Sequence, residues 1–167
     1  ASTVALFAVI IAVVWWAPLP LYALVVSAFI AAGALELVDA LRTKGWLVSR
    51  WLCVGTGAAM PWVVWHNRGS WEHLAASLTF AFVVAAAAQL RRKNNAEAIS
   101  AIAGWCLVTL YISWSFSLLV FLRQLPQWHN PFLPYADRIG RGLVLLLIAI
   151  TKGSDITAYL IGSRWGK

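Results

Sequence analysis

Charge is scarce in this chain. Of 167 residues only 11% are Asp, Glu, Lys or Arg, where soluble domains carry about 25%, and none occurs before Glu36. With 62% hydrophobic residues and a mean hydropathy of +0.77, that scarcity excludes a soluble globule, a disordered chain and a collagen-like one. Cysteine is nearly absent too. Cys53 and Cys106 both lie in apolar runs, which excludes a disulfide scaffold and suits packing as small hydrophobes. Acid is rarer than base, six residues against thirteen, for a net charge of +7. What remains is an all-α integral membrane protein with a single transmembrane domain over residues 1–167. In such a protein a basic excess reports topology and anionic lipid headgroups before nucleic acid, and no nucleic-acid partner is expected. No repeat or low-complexity linker is visible.

A bilayer core takes about 20 apolar residues per helix. The pattern predicts a polytopic bundle of about six transmembrane helices. The first covers about Thr3–Trp16 and the second about Leu21–Leu35, divided by Ala17-Pro18-Leu19-Pro20, because paired prolines break a helix. The second runs on through Glu36, Asp39 and Arg42, a solvated face with a weak surface pair, and ends near Gly45. The third covers about Trp51–Trp65 with Pro61 inside it, the fourth about Leu74–Leu90 and the fifth about Ala98–Leu122. Arg123–Arg141, with Pro126, Pro131 and Pro134, reads as an interfacial loop. The sixth covers about Gly142–Ile161. Gly55, Gly57 and the alanines 85–88 suit close helix packing. Many tryptophans fall near span ends, as interfacial anchors do. His66, Glu72 and His73 lack the spacing of a known metal motif and read as interfacial.

Loop charge sets the orientation. Arg42, Lys44, Arg50, Arg91, Arg92, Lys93, Arg164 and Lys167 fall on one side, and Arg68, Arg123, Arg138 and Arg141 on the other. The positive-inside rule places the first group, and the C-terminus, in the cytoplasm. Arg138 and Arg141 flank the sixth span, where snorkelling is the default.

Chemistry concentrates in the sixth span. After the apolar run Val144–Ile150 come Lys152 and Asp155, each costing roughly 2.5–3.5 kcal/mol at the centre of a membrane helix. Lys152, Asp155, Tyr159 and Gly162 are spaced i, i+3, i+7, i+10 and share one helix face. The face thus offers a cation, a carboxylate, a phenol and bare backbone, and leads to Arg164, Gly166 and Lys167. A carboxylate at the membrane boundary can hold Mg²⁺ together with phosphate oxygens. Lys152, Arg164 and Lys167 can neutralise phosphates, and Gly162 and Gly166 let backbone approach a ligand. The plainer alternative is that Lys152 and Asp155 pair only to offset their own desolvation.

Residues 154–167, Ser-Asp-Ile-Thr-Ala-Tyr-Leu-Ile-Gly-Ser-Arg-Trp-Gly-Lys, resemble a segment of the phosphatidate cytidylyltransferase (CDP-diacylglycerol synthase) family. The matching positions are Asp155, Ala158, Tyr159, Gly162, Arg164, Trp165, Gly166 and Lys167. Thr157 and Ser163 depart from the family pattern. The resemblance implies nucleotidyl transfer from CTP to phosphatidate, giving CDP-diacylglycerol and pyrophosphate in phospholipid biosynthesis. It implies Asp155 as a Mg²⁺ ligand with Lys152 beside it in the catalytic pair. It further implies Tyr159, Gly162, Arg164, Gly166 and Lys167 as substrate- and phosphate-binding residues. The expected partners are CTP, phosphatidate and membrane lipids, with a homodimer left open, and the expected location is a bacterial inner membrane with the site facing the cytoplasm. The family's later Ser-Pro-x-Lys-Thr and Asp-Arg-x-Asp segments do not appear. The resemblance therefore implies the N-terminal part of a longer enzyme, inactive alone. Two other classes stay open on the residues themselves: a transporter or channel subunit with an ion path over Lys152 and Asp155, and a non-catalytic membrane assembly subunit.

Overall fold

The computed structural model describes residues 2–67, 71–90, 95–130, 132–133 and 135–165. All regular structure among them is helical: α1 (Ser2–Trp16), α2 (Leu19–Thr43), α3 (Arg50–His66), α4 (Trp71–Leu90), α5 (Asn95–Val108), a π-helical stretch (Thr109–Trp114), α6 (Ser115–His129) and α7 (Ala136–Trp165). The α5, π and α6 segments follow without a break, so the described residues form six rods. Among the described residues three helices are long and apolar enough to cross a membrane: Leu19–Thr43, Glu97–Gln127 and Ala136–Arg164. The shorter apolar helix Ala75–Gln89 lies within α4.

Local chemistry sets the breaks. Pro18 caps α2 in extended conformation and Pro20 sits in its first turn, where a missing N–H costs nothing. At the other end Gly45 takes φ +85°. Its N–H donates to the Arg42 carbonyl at 3.0 Å, and the Trp46 N–H donates to that of Leu41 at 3.1 Å. This is a Schellman stop, which only glycine enters without strain. The turn folds α3 back along α2. Arg50 then pairs with Asp39, so the partner of Asp39 is Arg50 and not Arg42. The exchange has a simple cause, since the Gly45 turn returns the chain to the flank of α2.

Two apolar clusters form the core. One joins α1, α2, α3, α6 and α7 through residues such as Val14, Ile30, Val64, Val120 and Val144. The other gathers Ala34, Val38, Val48, Cys53, Ala85, Trp105 and Val108. Small residues let the rods close. A Cβ at Gly57 would lie 2.5 Å from the Ser113 hydroxyl and 3.2 Å from Ile30, whereas Gly55 faces open space. Ala85 is buried, while Ala87 and Ala88 are exposed.

Arg123–Arg141 is largely helix, not loop. α6 continues past Pro126 to His129, and α7 starts at Ala136. Pro126 lies in the last turns of α6, where it removes one N–H, and its own carbonyl accepts from Asn130 at 3.2 Å. Arg123, read from sequence as a loop cation, is 1% exposed inside this helix. One of its Nη atoms donates to the Ala17 carbonyl at 2.6 Å, its guanidinium lies 4.7 Å from the centre of the Tyr22 ring, and its Nε is 3.8 Å from Asp137. Asp137 also pairs with Arg141, which donates to the Trp15 carbonyl. The two arginines thus tie the α1–α2 break to α6 and α7. Arg141 is bound in place rather than reaching freely for the interface.

The approach of α7 to α6 depends on Gly140, which is buried against the backbone of Arg123; a Cβ there would run into the Arg123 carbonyl. Gly140→Ala is therefore expected to destabilise the fold by about 1–3 kcal/mol, the usual cost of overpacking. Thermal unfolding in detergent checks this, with Gly142→Ala, which meets nothing within 4 Å, as the silent control.

Candidate functional site on the second half of α7

The first half of α7 packs and the second half does not. Val144 is fully buried, but every described residue from Ala149 to Arg164 is exposed. Only 6% of the apolar window of this helix is buried, against 39% in each of the other two long helices. Three hydroxyls along the open half are satisfied within the helix. Thr151 donates to the Leu147 carbonyl at 2.9 Å, Thr157 to Gly153 at 2.7 Å and Ser163 to Leu160 at 3.0 Å. Such back-bonding lets polar residues sit in an apolar helix without an outside partner.

Two side chains on this half interact. Lys152 Nζ lies 3.2 Å from Asp155 Oδ2, with the two side chains 51% and 62% exposed. The i, i+3 spacing places them on one face, and the ammonium and carboxylate form one charge-assisted hydrogen bond. Exposure to water would leave such a pair worth ~0–1 kcal/mol; within a membrane the pair instead reduces a large desolvation penalty. The stem of Lys152 lines an apolar cavity of about 270 Å³ with Val13, Val26, Phe29, Phe116 and Ile148. This is the usual way a long cationic side chain covers apolar surface while its head stays polar.

The remaining sequence-predicted residues lie further along. Tyr159 is 74% exposed and follows Asp155 by one turn, with no hydrogen bond between them among the described residues. A Cβ at Gly162 or Gly153 would meet nothing within 4 Å, so both leave backbone open to approach. Arg164 is exposed in the last turn, where its charge favours the helix dipole. Gly166 and Lys167 lie outside the described residues, as do Arg91, Arg92 and Lys93.

The donor set bears on a metal. Among the described residues no three His, Cys, Asp or Glu side chains come together. Asp155 can therefore be one ligand of a divalent ion but cannot enclose it. That fits Mg²⁺, which takes one or two carboxylates and fills the rest of its shell with phosphate oxygens and water.

Sequence reasoning missed the buried Arg123 cluster. Its members come from four separate helices, and the sole sequence signal was an arginine directly after an uncharged run.

With all regular structure among the described residues helical and three of those helices of membrane-crossing length and composition, one of them bearing a cation–carboxylate pair, this is a membrane protein with a polar face on one long helix. A family model described as "cytidylyltransferase family" matches residues 1–167, the whole chain. The chain belongs to the cytidylyltransferase family, whose members transfer nucleotidyl groups from CTP. No curated protein and no solved structure matches it.

Proposed function

We propose that this chain serves nucleotidyl transfer from CTP to phosphatidate, giving CDP-diacylglycerol and pyrophosphate. The observation that carries this reading is the Lys152–Asp155 contact of 3.2 Å on the open half of an apolar helix, in a chain of a CTP-using family. A water-soluble nucleotide and a phosphate on a membrane lipid can meet only at the bilayer surface. A polar face at one end of a long apolar helix supplies that place.

In this reaction a phosphate oxygen of phosphatidate attacks the α-phosphorus of CTP. A new P–O bond forms, the bond from the α-phosphorus to the bridging oxygen breaks, and pyrophosphate leaves with that electron pair. Both reactants are anions, so positioning and charge screening supply most of the rate. Mg²⁺ held by Asp155 and by phosphate oxygens would supply Lewis-acid screening between them. Lys152 holds the Asp155 carboxylate along the face through their 3.2 Å contact, and offers its remaining N–H donors to phosphate. Tyr159 orients a phosphate oxygen by a hydrogen bond from its phenol O–H. Gly162 and Gly166 admit phosphate to the backbone, and Arg164 and Lys167 offset its charge. The six rods are read as six spans, with the α7 C-terminus in the cytoplasm, where CTP is found. Withdrawing the buried Arg123 from the loop count widens the charge asymmetry to eight against three, which supports that orientation.

The test is product analysis with membranes expressing the natural protein, supplied with labelled CTP. Phosphatidate is expected to yield labelled lipid and pyrophosphate in equal amounts, and diacylglycerol, which lacks the attacking phosphate, to yield none. Label entering a water-soluble product instead of lipid would refute phosphatidate as the acceptor.

A further inference from the structure

The far end of α7 carries a second charged feature, independent of the transfer site. Arg138 and Arg141 line a recess of about 370 Å³ with Trp15 and Trp16 from the end of α1, within the ~300–1,000 Å³ usual for small-ligand sites. The charges around it do not balance. Against Arg123, Arg138 and Arg141 stands one carboxylate among the described ion pairs, Asp137, which already pairs with Arg141 and lies 3.8 Å from Arg123. Arg138 has no carboxylate partner among the described residues, and its guanidinium lies over the Tyr135 ring at 5.2 Å. Arg141 also keeps a buried Nε without an acceptor. Unspent donors, excess positive charge and a small recess together describe an anion site.

The walls say which kind of anion. Trp16 is 74% exposed and Trp15 41%, and both end a helix without a charged residue. Indole rings in that position sit at the headgroup level of a bilayer. We propose that Arg138, in the recess walled by Trp15, Trp16 and the fixed Arg141, binds the phosphate of an anionic phospholipid. Arg138 and Asp155 are 17 residues apart on one helix, or about 25 Å at 1.5 Å per residue. A lipid phosphate held here therefore lies in the opposite leaflet from the transfer site and cannot be the reacting one. Its effect is to hold the α1 end against the start of α7 by screening three neighbouring guanidinium groups.

The test uses the full chain in detergent micelles, with lipid retention read by native mass spectrometry. Phosphatidylglycerol and phosphatidylcholine with the same acyl chains serve as probes, and inorganic phosphate as a soluble competitor. The wild type is expected to hold one phosphatidylglycerol more tightly than phosphatidylcholine. Arg138→Gln is expected to weaken phosphatidylglycerol about 5-fold, the usual contribution of one basic residue near a headgroup, and to leave phosphatidylcholine unchanged. Trp16→Ala, at an exposed position, provides a second variant that weakens both lipids. Equal phosphatidylglycerol affinity in the wild type and Arg138→Gln would overturn the proposal. So would displacement of the lipid by millimolar inorganic phosphate, which would make this a site for a soluble anion.

Discussion

Asp155→Asn lowers CTP-dependent lipid product by about 100-fold or more, a loss on the scale of removing one preorganised electrostatic group from an active site. The substitution keeps shape and helix propensity and removes only the negative charge. A drop by itself would not separate the two readings of the pair, because neutralising Asp155 also leaves Lys152 as a lone cation in a membrane helix, which could hinder insertion. The double variant Lys152→Gln/Asp155→Asn separates them. If the pair served only to neutralise itself, removing both charges would spare the helix its desolvation problem, and the double variant would assemble and work as the wild type does. If the carboxylate holds a metal against phosphate, the double variant assembles normally and stays inactive. Detergent-extractable protein and lipid product, measured on the same membranes of the natural protein, give the two readouts. Product within a few-fold of wild type in the double variant would remove Asp155 from the chemistry.

Much of the fold was legible because the strongest signals were local. Pro18 and Pro20 marked a break that backbone geometry demands, and Gly45 marked the one positive-φ stop that ends α2. Uncharged runs gave the first four rods to within about three residues, but ended the fifth seven residues short at Leu122 and began the sixth six residues late at Gly142. The shared face of Lys152 and Asp155 followed from helical spacing alone, and the two side chains do meet. What sequence could not give was anything decided between helices. Arg123 follows an uncharged run, as an interfacial anchor would, and nothing nearby in sequence tells of the Ala17 carbonyl 106 positions earlier. Pro126 looked like a helix end, yet α6 carries it for another turn. Asp39 had Arg42 within one helical turn, but the Gly45 turn brings Arg50 to it instead. The open half of α7 was equally hidden, since an apolar run reads the same whether or not a neighbour covers it.

Arg123→Ala costs the fold about 3 kcal/mol, within the range for deleting one member of a buried charged network. The size follows from its partners. The substitution orphans the Ala17 carbonyl, whose bond is 2.6 Å and buried, at about 1–3 kcal/mol. It also removes a desolvated cation over the Tyr22 ring at 4.7 Å, worth about 2 kcal/mol, and leaves a cavity where a large side chain had been 1% exposed. Relief of the arginine's own burial offsets part of this. The Asp137 contact matters least, because it is 3.8 Å long and the carboxylate is 41% exposed. Three variants rank these contributions. Arg123→Lys keeps the charge but loses the planar fork, so it recovers only part of the stability. Arg123→Met refills most of the volume and still leaves the carbonyl unpaired, so it falls between Lys and Ala. Asp137→Asn changes stability by less than about 1 kcal/mol through Arg123, and a double-mutant cycle between positions 123 and 137 shows coupling no larger than that. A coupling of about 3 kcal/mol in that cycle would mean that the ion pair, and not the carbonyl and the ring, holds α6 and α7 to the α1–α2 break. Unfolding in detergent, followed by tryptophan fluorescence, measures every member of the series.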